Sequence, residues 1–241
     1  MIKATLIDHM GCDMSVVNAA RVSFGKKIDR MYTKPEDEKL IRYLAEHKHM
    51  SPFGHCFATF HVKAPVFVAR QLVKHKFLRW NEISRRYVDD KPEFYEPEVW
   101  RGRSADKKQG SEGVITTLEW SERDSDYDGY YPDDKKYLQP WVNYEDTPQN
   151  ITQGLYEQVK DVYRILLECE CAPEMARMLL PQSMMTEWIW SGSLDAFADM
   201  CRLRCKPDTQ YESRLVADQI SAEMAKLFPV SWESLMENNN V

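Results

Sequence analysis

Side chains able to do chemistry gather in residues 74–87, KHKFLRWNEISRRY. From Arg70 to Arg86 there are six Lys or Arg (Arg70, Lys74, Lys76, Arg79, Arg85 and Arg86) against one acid, Glu82. The local charge is near +5 in a chain whose formal net charge is -6. Such a run repels itself, so either water solvates it as an ordinary face or it is built to hold an anion. Asn81, Glu82 and Ser84 interleave short hydrogen-bonding groups with the cations, the mixture needed to read a phosphate and a polar heterocycle together. Ser84 has no G-x-S-x-G elbow, and the nearest imidazole, His75, is nine residues upstream. Donating a hydroxyl to a phosphate or base is therefore a simpler role for Ser84 than covalent attack.

Other candidates are sparser. His47, His49 and His55 in HKHMSPFGH do not have H-E-x-x-H spacing, so no metal site is expected; on a turn they could meet a ligand or simply face water. Arg177 interrupts the apolar run MARMLLP, and its guanidinium must leave a core toward a partner. Arg202 and Arg204 suit the negative end of a helix. No G-x-G-x-x-G or Walker motif is present, and only nine glycines occur in 241 residues, so side-chain cations must hold any phosphate. The acidic balance, with a pI near 5.6, argues against a protein that coats nucleic acid. Six cysteines without paired C-x-x-C units read as reduced thiols, and no apolar run is long enough for a membrane span. A cytoplasmic protein is expected.

The elements that must position these residues follow from periodicity. ATLID (4–8) reads as a strand, and Ser15 as the cap of a short helix through Phe24. Pro35 opens a helix with the stripe Leu40, Ile41 and Leu44, followed by a turn at Pro52 and Gly54. CFATFHVKA (56–64) alternates as a strand. Pro65 then starts a helix through VFVARQLVKHKFL, with Phe67, Val68, Leu72 and Phe77 toward the core. Residues 101–147 hold 11 acids, seven Lys or Arg and a set of Trp and Tyr, and read as an insertion in one domain. Beyond it come a helix with Ile151, Leu155, Val159, Val162 and Leu166 on one face, and a short helix between Pro173 and Pro181. A strand at SMMTEWIWSG, a helix capped by Ser193 and a last helix capped by Asp208 or Thr209 complete the chain. Helices around a few strands, without βαβ alternation, predict an α+β fold with a small central β-sheet and no Rossmann unit.

In register, KHKFLRWNEISRRY resembles the signature of the flavin-dependent thymidylate synthases (the ThyX family), RHRxxSxNExSxRY, at His75, Asn81, Glu82, Ser84, Arg86 and Tyr87. AARVSF, the turn HxxPFxH, HVKAPVFVARQ, FYEP, APEMARMLLP and the helix ending in RLRC are similar to that family as well, over most of the chain outside 101–147. The resemblance implies reductive methylation of dUMP to dTMP, with methylenetetrahydrofolate giving the carbon and NADPH the reducing equivalents through FAD. It also implies a homotetramer with active sites between subunits. Carried over position by position, it places FAD contacts at Ser23, His49, Ser51, Lys74, His75, Lys76, Glu82, Ser193, Asp195 and Asp199. The dUMP contacts fall at Gln71, Lys74, Glu82, Ile83, Ser84, Arg85, Arg86, Arg177 and Arg204. Arg204 is the implied catalytic residue, a cation that favours ionisation of the uracil ring. Lys74 and Lys76 replace the two signature arginines, Arg79 stands in place of Ser, and Asp195 and Asp199 stand where some relatives have Arg and Asn. Read from the residues alone, a non-catalytic nucleotide- or RNA-binding protein using the same cations is the alternative.

Overall fold

A computed structural model describes residues 1–105, 110–116 and 147–237; most of the expected insertion lies outside them. In chain order the elements are β1 (Lys3–Met10), α1 (Asp13–Arg21), α2 (Pro35–Glu46), β2 (Phe57–Pro65), α3 (Val66–Leu72), β3 (Leu78–Glu82), β4 (Arg101–Arg103) and β5 (Ser111–Val114). They continue with α4 (Pro148–Glu168), α5 (Pro173–Ala176), β6 (Met185–Ser193), α6 (Leu194–Arg204), α7 (Tyr211–Leu227) and α8 (Pro229–Glu237). The contacts divide the chain into two compact units, one of 1–83 with 185–241 and one of 84–184.

In the first unit, β1, β2, β6 and β3 form one sheet in that order. All three pairings are antiparallel, so among the described residues this sheet has no parallel crossover. The α+β class holds. Alternation sorts the side chains: Ala58, Phe60, Val62 and Ala64 of β2, with Trp188 and Trp190 of β6, are buried. Helix α7 packs on β1 and β2, and α6 on β6. Phe197 of α6 meets Phe60 edge-on at 5.3 Å and Trp190 at 5.7 Å, and Trp80 of β3 stacks on Trp188 at 4.3 Å. Offset and edge-on ring pairs of this kind add to the area they bury. The other face is polar, with Thr59 and Ser191 hydroxyls 3.0 Å apart and His61 against Glu187 at 2.9 Å.

Several ends differ from the sequence expectation. Ser15 is not the cap of α1. Cys12 holds that position, and the Ser15 hydroxyl reaches back to the Cys12 amide at 3.0 Å, as the third residue of a capping box does. Helix α3 stops at Leu72 and β3 follows a turn, so Phe77 is 82% exposed rather than in the core. The α7 N-cap is Gln210. Asp13 caps α8 by accepting the Val230 and Ser231 amides at 3.0 and 2.9 Å.

In the second unit, β4 pairs with β5 and α4 is the longest helix. Thr147 caps it, its hydroxyl accepting from the Asn150 amide at 3.2 Å. The residues α4 buries are Pro148, Tyr156 and Tyr163, whereas Leu155 and Val162 of the expected apolar face stay exposed. Rings carry more buried area than aliphatic side chains, and Phe94 packs on Tyr156 at 4.8 Å. No helix among the described residues is long and apolar enough to cross a membrane.

Candidate active site

The turn between α3 and β3 carries Lys74, His75, Lys76 and Phe77. Along α6, Ala196, Asp199 and Leu203 recur at three- and four-residue spacing, which puts them on one side of the helix beside Arg204. These eight residues line one open cleft of about 320 Å3. Arg204 Nε donates to His75 Nε2 at 2.9 Å. Burial of the imidazole, reinforced by the Arg204 charge and opposed by Asp199, draws His75 down from 6.5 to about 4. The ring is therefore neutral at neutral pH, and because Nε2 accepts, its proton sits on Nδ1. Burial also lowers the Arg204 pKa, yet a guanidinium stays charged.

Lys74, Lys76 and Arg204 thus give the cleft a cationic lining, with Asp199 as its one carboxylate. Asp199 is ion-paired with Arg202, which removes much of its repulsion toward an incoming anion. At the other end of α6 the Ser193 hydroxyl bonds the Asp195 carboxylate, so this helix start, which attracts anions, already carries one of its own. Cations beside a neutral imidazole in an open cleft fit a flavin nucleotide, whose phosphate needs charge and whose ring edge needs hydrogen-bonding partners.

The cationic stretch is not one surface. The pleat of β3 sends Trp80 and Glu82 to one side of the sheet and Arg79 and Asn81 to the other. Glu82 accepts from Trp80 Nε1 at 3.1 Å and from Thr186 Oγ1 at 2.8 Å. The Ile83 amide donates to the Glu187 carbonyl at 2.9 Å while its side chain stays exposed. Gln71 is fixed against α7 by Gln210 and by the Ser213 hydroxyl at 2.8 Å.

Ser23, His49 and Ser51 lie outside the cleft lining. Ser51 opens a short 3-10 helix that packs on α1 and α6. The His49 ring faces that of Tyr43 at 6.1 Å, with His47 stacked on Tyr43 at 4.0 Å. Among the described residues no group of three or more His, Cys, Asp or Glu is arranged to hold a metal.

The second unit carries the remaining candidates. Ser84 Oγ accepts from Arg86 Nε at 3.2 Å, and Arg85 donates to the Asp90 carbonyl at 2.6 Å and to its carboxylate at 2.5 Å. Arg177 was expected to leave a core. Instead its neighbours Met175 and Met178 are themselves exposed, and Arg177 Nε donates to the Glu174 carbonyl at 3.3 Å.

The Arg204–His75 bond joins residues 129 apart, and the signature motif gave no sign of it. Phe77, Ala196 and Leu203 were also missed as cleft residues. Phe77 and Leu203 each adjoin a cation in the sequence, but periodicity assigns such apolar residues to the core.

Known proteins match this chain along nearly its whole length. The family described as thymidylate synthase complementing protein matches residues 5–230. A flavin-dependent thymidylate synthase of Thermus thermophilus is 36% identical over 233 residues, 97% of this chain and 75% of that protein. One of Kosmotoga olearia is 37% identical over 236 residues, 96% of this chain and 88% of its own length. Among solved structures, the UMP/dUMP methylase PolB of Streptomyces cacaoi bound with 5-Br dUMP superposes with a TM-score of 0.75 at 30% identity. That match covers 98% of this chain and 95% of PolB.

Proposed function

Since the chain belongs to the thymidylate synthase complementing protein family, that of the flavin-dependent thymidylate synthases, we propose that it converts dUMP to dTMP by reductive methylation. Methylenetetrahydrofolate is the carbon donor and NADPH the reductant in this reading, and the cofactor is FAD. The observation that carries it is the cleft in which Lys74, Lys76 and Arg204 surround a neutral His75.

Bound there, a flavin would supply the hydride chemistry that no side chain of this protein can supply. The protein's own contribution is electrostatic and positional. Lys74 and Lys76 offer compact charges to phosphate, with less geometric selectivity than a planar guanidinium fork. His75 takes Arg204 Nε and leaves the terminal nitrogens of Arg204 for a second partner. A fixed cation beside the uracil ring stabilises negative charge there and makes C5 a better nucleophile. Gln71, Glu82 and Ile83, with Ser84, Arg85, Arg86 and Arg177, remain the proposed dUMP contacts. Ser23, His49, Ser51, Ser193, Asp195 and Asp199 remain the further FAD contacts. Ser23, His49 and Ser51 lie off the cleft lining, which is consistent with a homotetramer whose sites draw on neighbouring subunits. We place the enzyme in the cytoplasm, working as a single functional domain.

The test is direct. Purified protein reconstituted with FAD should show flavin absorbance and form dTMP from dUMP, methylenetetrahydrofolate and NADPH, with UMP offered in parallel. A protein that takes up no flavin, or takes it up and forms no methylated nucleotide, refutes the reading.

A further inference from the structure

Three non-glycine residues among those described have positive φ: Lys48, Phe77 and Glu170. Two are ordinary helix ends. After α2, the Lys48 and His49 amides return to the Ala45 and Leu44 carbonyls, and after α4 the Glu170 and Cys171 amides return to Leu167 and Leu166. Phe77, at φ 65°, lies five residues beyond the end of α3 and closes no such cap. A bulky side chain in this region is a true outlier, and such strain persists only where the surroundings over-determine it.

The surroundings here are identifiable. Leu78, the next residue, pairs with Gly192 and packs over the place a side chain would occupy. A Cβ on Gly192 would sit 2.3 Å from Leu78 Cδ2 and 3.3 Å from the Phe77 carbonyl oxygen. With Leu78 drawn into the sheet, the chain turns the Phe77 ring outward, 82% exposed, onto the cleft wall between Lys76 and β3. Leu203, also exposed, adds another apolar side chain to the lining, with Ala196, among the three cations.

We propose that Phe77 is a stacking platform for the flavin's planar ring system, the apolar part of a subsite whose charges are Lys74, Lys76 and Arg204. This rests on the flavin reading above. An aromatic face beside cations is the pairing that holds a flat heterocycle joined to phosphates, and it binds through a π-face that water covers poorly. The strain has a reason under this proposal: a relaxed backbone would turn the ring away from the ligand.

The experiment titrates FAD into wild-type protein and into Phe77→Gly, Phe77→Asn and Phe77→Trp, following flavin fluorescence, with melting temperatures measured without FAD. Gly and Asn accept left-handed backbone, so both variants should melt about 2 °C higher than wild type. Both should bind FAD about tenfold more weakly, and Phe77→Trp should retain affinity and ring quenching. Binding by the Gly and Asn variants within about twofold of wild type overturns the proposal while leaving the flavin reading intact. So does a fall in their oligomeric mass with FAD affinity retained, which would make Phe77 a subunit contact. Failure of wild-type protein itself to bind FAD removes the flavin reading and, with it, the platform.

Discussion

Replacing Arg204 by Ala tests the chemistry most directly. The substitution removes one of three cations in the cleft and leaves His75 Nε2 without its donor at 2.9 Å. Losing a preorganised donor at the site of developing charge lowers kcat about 100- to 1000-fold in comparable cases. The stability cost is smaller. A hydrogen bond to a charged group contributes about 1.5–3 kcal/mol, and the partial exposure of this pair reduces that to about 1 kcal/mol. Arg204→Ala should therefore fold, take up FAD through Lys74 and Lys76, and fail in turnover. Arg204→Lys, which keeps the charge but loses the fork that reaches His75 and, in the proposed reading, the substrate, should fall between. The assay is release of tritium from C5-labelled dUMP, with dTMP measured by chromatography and bound flavin by visible absorbance. An Arg204→Ala protein working near the wild-type rate would refute the assignment. Acid sensitivity is a second readout. His75 is pulled from 6.5 down to about 4, so the folded state binds fewer protons than the unfolded one between these values. Its contribution is fully present above pH 6.5 and is lost as pH falls toward 4. After discounting for solvent screening at a half-buried ring it amounts to about 1–2 kcal/mol. His75→Gln should flatten stability across that window.

Three other outcomes follow from the fold. Asp37, buried between Arg21 at 2.9 Å and Arg30, is pushed up by burial, but the Lys34 amide and both arginines outweigh this and hold its carboxyl below 3.8. Its stabilisation is present above that value and lost as pH falls through the lowered one, and Asp37→Asn should cost about 3 kcal/mol in urea unfolding at pH 7. Gly192→Ala should force Leu78 aside, lower stability by about 1–3 kcal/mol and loosen β3, seen as faster amide exchange at Arg79 and Asn81. Burial raises the Cys56 thiol to about 12, so native protein should alkylate at exposed Cys169 and leave Cys56 untouched until it unfolds. Equal labelling of both cysteines would contradict the burial.

How far the sequence could be read depended on what each element must bury. Strands β2 and β6 were legible because one face is apolar and the other polar, and α2 because Pro35 and the Ile41–Leu44 stripe agree. Strand β3 was not. Its residues, LRWNE, alternate an apolar or amphipathic side chain with Arg and Asn, and in a run of cations that pattern is hidden. The same charge pattern suggested a single surface, whereas a period of two divides Arg79 from Trp80 and Glu82. Of the proposed flavin positions, Lys74, His75, Lys76 and Asp199 share a cleft with Arg204, because a short turn and a helix face are local constructions. The partner of His75 was not legible, since an Arg–His contact across the chain leaves no periodic trace.

The strand order β1-β2-β6-β3 has a consequence for how the molecule is made. Among the described residues strand β3 joins the sheet only through β6, and residues 83–184 intervene between them in the chain. During synthesis the Lys74–Phe77 turn therefore emerges long before the strand that docks β3 and before α6, the cleft's other wall. Domains tend to fold as units once their sequence is available, and pairings this distant in sequence are slow. The cleft is thus among the last features to form, and its charges meet only after the rest of the sheet has a scaffold. A chain released before Leu194 would expose the Lys74–Phe77 turn without α6, leaving that segment more open to proteases and to wrong pairing than it is in the finished fold.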